Sequence, residues 1–201
     1  MLGAIACAPR LPPLTGVPAP ARLPRAQLRP GHWRIVFNWE LSDREISSRG
    51  EGAARIASPD SARLDFFLAG GFGGGAAVLI GDSVQLPGGD LVHRLVPPPP
   101  LLWAALGRLA TPPLADTVVR AEGSTLRADL GRPVAWRVTF HGDTLVRVER
   151  ADKDRVEEWV ERADSAHVQY RQERARRSLR LTVTRSEEVP AFDATIWSLP
   201  R

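Results

Sequence analysis

With 201 residues, 43% of them hydrophobic, 25% charged and 6% aromatic, the chain has the composition of one ordinary globular domain, which excludes collagenous, coiled-coil and fully disordered readings. Its one cysteine, Cys7, excludes an internal disulfide and a cysteine-rich zinc site, and a chain of this length buries roughly 70% of its unfolded surface without needing either. The net charge of +4 sits in residues 1–34, which hold five arginines and no acid; the remainder, with 22 basic against 23 acidic residues, is near neutral and lacks the basic face that sequence-independent nucleic-acid binding requires.

In chain order, Leu2-Gly3-Ala4-Ile5-Ala6-Cys7 resembles the lipobox of a bacterial lipoprotein, with Ala4, Ile5 and Ala6 before the acylated cysteine. Only six residues precede Cys7, fewer than a signal peptide needs, so residues 1–6 are read as the remnant of one. The resemblance implies a diacylated Cys7. Ala8 follows it where an aspartate would retain the protein elsewhere, which implies the periplasmic face of the outer membrane. The bland alternative is an incidental thiol. Seven of the 18 prolines fall within residues 9–30, where fixed φ and missing N–H groups preclude a helix, so residues 7–31 are expected to form an extended tether. No later run reaches the ~18 apolar residues of a membrane-spanning helix, so the expectation is a protein anchored to a membrane rather than crossing it.

From residue 32 the period-2 pattern of half-buried strands dominates. Trp33, Ile35, Phe37, Trp39 and Leu41 alternate with Arg34, Asn38 and Glu40. The same alternation recurs in Ala62/Leu64/Phe66/Leu68, in Val134/Trp136/Val138/Phe140 and in Leu179/Leu181/Val183. Weaker strands are expected over residues 50–57, 76–80, 83–86, 117–123, 125–130, 145–150, 156–162, 167–172 and 192–197. Ten or more short strands imply a mainly β fold, a curved antiparallel sheet forming a barrel or open half-barrel. One helix is expected over 100–110, with a proline suited to its first turn and Leu102, Leu106 and Leu109 on one face. Such a short apolar helix midway through a sheet protein reads as a lid on an open barrel mouth.

No catalytic constellation emerges. His32, His93, His141 and His167 lie in unrelated contexts, without a zinc-type pair or a nucleophile elbow. The cluster from Gly70 to Gly75 precedes a strand, not the helix a phosphate loop opens. No cofactor and no metal are expected, and binding is the expected role.

Three segments then resemble the LolA/LolB superfamily of periplasmic lipoprotein carriers and outer-membrane receptors, LolB most closely. Ala62–Leu68 followed by Gly70-Gly71-Phe72-Gly73 is similar to the family's strand and protruding loop with an apolar tip, which Phe72 matches. Pro99–Gly107 resembles its short helix after a proline. Ala135–Phe140 resembles its Trp-containing strand. The family's long helix before the first strand has no counterpart, since Pro24 and Pro30 interrupt that region. The resemblance implies that residues 32–201 form an open half-barrel whose apolar face holds acyl chains of lipids or lipoproteins, with a periplasmic carrier as partner and the protein itself a monomer. The expected cavity residues are Trp33, Ile35, Phe37, Trp39, Leu64, Phe66, Leu102, Leu106, Trp136, Val138 and Phe140. The alternative for these side chains is a dry core, and for Phe72 a buried anchor instead of a membrane-facing tip. Two other functions stay open: a lipocalin-like carrier, from Gly31-His32-Trp33 before the first strand, and a structural envelope lipoprotein with no ligand.

Overall fold

The computed structural model describes residues 8–70, 73–87 and 89–199. Cys7 and Phe72 lie outside them. The elements in chain order are β1 (Val17–Pro18), β2 (His32–Ser42), β3 (Ser47–Ala57), β4 (Ser61–Leu68), β5 (Gly74–Ile80), β6 (Ser83–Gln85), α1 (Asp90–Leu95), α2 (Pro99–Ala105), β7 (Thr117–Glu122), β8 (Thr125–Leu130), β9 (Trp136–His141), β10 (Thr144–Asp152), β11 (Arg155–Arg162), β12 (His167–Gln172), β13 (Arg177–Glu188) and a 3₁₀ turn at Ala194–Trp197.

All the strands join one antiparallel sheet in the order β1-β7-β8-β9-β10-β11-β12-β13-β2-β3-β4-β5-β6. Neighbours in the chain are mostly neighbours in the sheet, as hairpin connections require. There are two exceptions: β1 pairs with β7, and β13 returns to pair with β2 from Ser178↔Ser42 to Glu188↔Trp33 and so joins the two halves. Because β1 and β6 remain at opposite ends, the sheet is an open half-barrel and not the closed barrel of a lipocalin. Register shifts on β10 and β13 add the bends that let so wide a sheet curl.

The long β2–β3 pairing shows how unlike neighbours can complement each other. Gly52 and Gly50 stand opposite Phe37 and Trp39, where glycine would ordinarily weaken a strand. The aromatic rings fold over them. A Cβ at Gly52 would lie 2.4 Å from the Phe37 ring, and one at Gly50 would lie 2.8 Å from Trp39. Phe66 on β4 meets both rings edge-to-face, with centroids 5.8 and 6.4 Å away, and Trp39 Nε1 donates to the Glu51 carbonyl.

The expected helix is shorter than its apolar pattern implied. Pro99 and Pro100 occupy its first turn, where no N–H partner is needed, but Gly107 adopts φ +91° and ends it before Leu109. The indole of the fully buried Trp103 donates to Gly81 O at 2.7 Å, so α2 is bolted across the concave face to the β5–β6 turn. The short α1 had no counterpart in the sequence reading. It sits on β5 at Gly75, where a Cβ would come 1.9 Å from Val92, and Arg94 ties it to Asp43 in the β2–β3 turn at 2.9 Å.

Two further expectations are corrected. Residues 192–197 do not form a strand, because the Asp193 side chain accepts from Thr195 N at 2.8 Å and starts the 3₁₀ turn, whose Ile196 carbonyl receives Arg63 at 3.0 Å. Residues 8–31 are extended, as their prolines dictate, but they are a strap and not a free tether. Pro9 O accepts from Val156 N, Leu11 N donates to Asp154 O, and Ala19 N donates to Val119 O. Between these points β1 pairs with β7. The strap then crosses to the concave side, where Leu28 is buried and Leu23 and Ala26 pack against the core.

Candidate functional site

The concave face is divided into a filled and an open part. In the filled part Trp136, Val138 and Phe140 from β9 share one packed cluster with Leu101 and Trp103 of α2, Val148 of β10 and Val160 of β11. Val138, Phe140 and Trp103 have no exposed surface. Trp39 and Phe66 are likewise buried, in the aromatic group over the β3 glycines. These five expected cavity residues, Trp39, Phe66, Trp136, Val138 and Phe140, are buried in the core and do not line the cavity beneath α2, so the dry-core alternative holds for them. Large side chains fill the space there: Phe37, Trp39 and Phe66 pack edge-to-face over the β3 glycines, and Trp103 of α2 is fully buried in the core that holds the β9 residues.

In the open part a cavity of about 330 Å³ lies between the sheet, α2 and the end of the strap. Its floor is Ile35 and Phe37 of β2, Ala54 and Ile56 of β3, Leu64 of β4, Val168 of β12, and Leu181 and Val183 of β13. Leu102, Ala105 and Leu106 of α2 cover it, with Leu28 of the strap and Trp33 at the side. Six expected residues therefore meet here: Trp33, Ile35, Phe37, Leu64, Leu102 and Leu106. Ile35, Leu106 and Leu181 are only half-buried because they face a void and not a neighbour.

Sequence reasoning missed the β13 wall, the strap and the polar mouth. Leu181 and Val183 were seen as strand residues, and their alternation was the signal that could have placed them on the same face. The mouth consists of Ser165, Thr184 and Ser186 with Arg29, Arg162 and Arg185. Trp33 Nε1 is held by Pro30 O at 2.9 Å, and the Arg29 guanidinium lies 5.0 Å above its ring. Arg162 donates from Nη1 to Ala105 O at 2.6 Å, which satisfies a carbonyl at the open end of α2. Burial, and after it the charge of Arg29, lower the Arg162 pKa from the ordinary arginine value.

The strap hides another group that sequence reading did not single out. Arg137, on the polar face of β9, is buried and binds Asp129 through two hydrogen bonds of 2.6 and 2.9 Å while also donating to Pro12 O at 2.7 Å. On β11 and β12, buried Glu158 accepts from the Tyr170 hydroxyl at 2.6 Å and faces Arg150 at 2.7 Å. Burial first, then the Glu158 charge, push the Tyr170 phenol up. The histidines are dispersed: His32 packs on Phe192, His141 lies beside Ser124 and His167 contacts Asp164. Among the described residues no group of three or more His, Cys, Asp or Glu side chains converges as a metal site, and no helix is long and apolar enough to cross a membrane.

No protein-family model and no curated protein sequence matches the chain. Solved structures do. A LolA superfamily protein from Nitrosomonas europaea superposes with a TM-score of 0.57 at 8% identity, over 87% of this chain and 93% of that one. A domain from Vibrio parahaemolyticus described as an outer membrane lipoprotein-sorting protein superposes with a TM-score of 0.50 at 8% identity, over 83% and 89%. At such identity the likeness is one of architecture, and the open, helix-lidded antiparallel half-barrel of this chain is the LolA-type fold.

Proposed function

We propose that the protein is an envelope lipoprotein that binds an acyl chain, of a lipid or of another lipoprotein, in the cavity beneath α2 and assists its delivery to the outer membrane. The observation that carries this reading is an apolar void of about 330 Å³ in a LolA-type half-barrel, at the lower end of the ~300–1,000 Å³ of ligand pockets. An unfilled apolar space of that size is costly in a core and is accounted for by a ligand. Each chain methylene moved into it contributes about 0.8 kcal/mol. The role is binding, with no chemistry at the site. Diacylation of Cys7 supplies the anchor, and the arginines of residues 10–29 add attraction to anionic headgroups. Phe72, which lies between β4 and β5 in the sequence, supplies the membrane-facing tip.

Native mass spectrometry of the purified protein tests the reading directly. A co-purifying acyl lipid, or saturable uptake of a fluorescent fatty-acyl probe, is expected. An empty protein that takes up no probe favours the structural envelope lipoprotein instead. For the anchor, Cys7→Ser expressed behind a complete signal peptide is expected to lose its lipid and appear in the soluble periplasm.

A further inference from the structure

An apolar cavity explains the tail of a ligand and leaves its mouth unexplained. Three arginines line the space and no carboxylate does. Arg185 is paired with Glu187, whereas Arg29 and Arg162 have no carboxylate partner among the described residues. The nearby acids are engaged elsewhere. Asp164 accepts from the amides of Ala166 and His167 and from the His167 ring, and Glu161 is paired with Arg147. Arg162 donates from Nη1 to Ala105 O, and among the described residues Nε and Nη2 have no protein acceptor.

Arg162, half-buried at the rim of an apolar void, loses hydration and is repelled by Arg29, and Asp164, the acid whose charge reaches it, offsets this without pairing with it. A rim that served only to admit a neutral chain would not need the two arginines. Guanidinium forks match a carboxylate or phosphate bidentately, and such charge-assisted bonds are about twice as strong as neutral ones. The cavity is also sized for one small ligand rather than for several chains side by side.

We infer that the site takes a single-chain amphiphile with an anionic head, a carboxylate or a phosphate monoester, its tail between α2 and the β2–β4 and β13 walls and its head bound by Arg29 and Arg162. This rests on the acyl-chain reading above and specifies the ligand class for the same cavity. Tail and head are read together, so the two ends of the molecule set its orientation.

The test uses the full chain, delipidated, titrated with 11-(dansylamino)undecanoic acid and separately with its methyl ester. The acid is expected to bind about 10-fold tighter or more, with a preference that shrinks as salt rises. Arg29→Gln and Arg162→Gln are expected to bring the acid-to-ester ratio toward one, and Arg162→Lys, which keeps the charge but loses the fork, to retain part of it. A thermal melt of each variant confirms folding. Should Arg162→Gln fail to fold, Arg29→Gln alone decides, because its side chain is exposed and makes no hydrogen bond or ion pair among the described residues. Equal affinity for acid and ester overturns the anionic head while leaving the chain site intact. Binding of neither probe overturns the acyl-chain reading itself. Dodecyl phosphate is expected to displace the probe where inorganic phosphate at the same concentration does not; displacement by inorganic phosphate would show that the anion alone is bound, and would overturn the joint reading of head and tail.

Discussion

Val138 and Phe140 on β9 and Ile35 and Phe37 on β2 each occupy alternate strand positions, and both pairs point to the concave side. The first pair has no exposed surface; the second walls a cavity of about 330 Å³. What separates them lies above the sheet. Trp103 and Leu101 of α2 are fully buried in the core, whereas Leu102 and Ala105 of the same short helix, with Leu106 just beyond its end, line the cavity. Seven residues of α2 thus seal one half of the face and roof the other, because side chains at successive helix positions point in different directions. A half-barrel of this kind therefore acquires its pocket from its lid, not from its strands.

The sharpest way to break that comparison is Trp103→Ala. A fully buried tryptophan truncated to alanine costs ~3–5 kcal/mol, here with the added loss of the bond to Gly81 O, and urea denaturation should show it. Leu181→Ala, in the open half, should cost only about 1–2 kcal/mol because half of that side chain already faces a void. Costs of equal size would mean that the two halves are packed alike.

Enlargement sharpens the same contrast. Val138→Trp is expected to destabilise by ~1–3 kcal/mol or more through overpacking and to leave acyl-probe uptake unchanged in whatever fraction folds. Leu181→Trp is expected to shift stability little while abolishing uptake, since the ring occupies the ligand's space. Fluorescence titration beside thermal melts reads both variants. Gly52→Ala probes the border between the halves, since Phe37 walls the cavity and also packs on Phe66: its Cβ would meet the Phe37 ring at 2.4 Å and Asp65 O at 2.9 Å, so a loss of about 1–3 kcal/mol is expected, and Gly52→Ala combined with Phe37→Leu should recover part of it.

The strands were legible because alternation over five or more residues has one reading. The filled and open halves were not, because alternation gives the face and says nothing of what covers it. Trp39 and Trp33 sit in one strand on one face, yet only the second touches the cavity. Leu23, Ala26 and Leu28 lie among prolines without any period, so nothing local shows that they leave a tether to join the core. Arg137 reads as a solvated strand arginine; it is buried because Pro12, distant in the chain, lies on it. Arg162 reads as one more charge in the Glu157–Arg162 run, and its place at the mouth depends on where α2 ends. In each case the missing information is long-range packing, which enters only when the chain closes on itself.

The smallest expected effects concern acid. Backbone amides of Glu45 and Ile46, aided by Arg94, hold the Asp43 carboxyl at about 2, below its ordinary 3.8. The His167 ring and the amides of Ala166 and His167 hold Asp164 at about 2 as well. A carboxyl whose pKa falls on folding stabilises the folded state above its unfolded value, so both contributions are complete above about pH 4 and fade as pH drops toward 2. The two groups nevertheless serve different halves. Asp43 ties α1 over β5, on the filled side, whereas Asp164 shapes the turn that carries Ser165 and Ala166 to the cavity mouth. Asp43→Asn should therefore flatten the fall in melting temperature between pH 4 and 2 and leave the probe affinity at neutral pH as it was. Asp164→Asn should flatten the same fall less, since that turn is exposed, and alter probe affinity by loosening the mouth. A reversed outcome, with Asp43 governing uptake and Asp164 governing stability, would show that the division of the concave face is wrongly drawn.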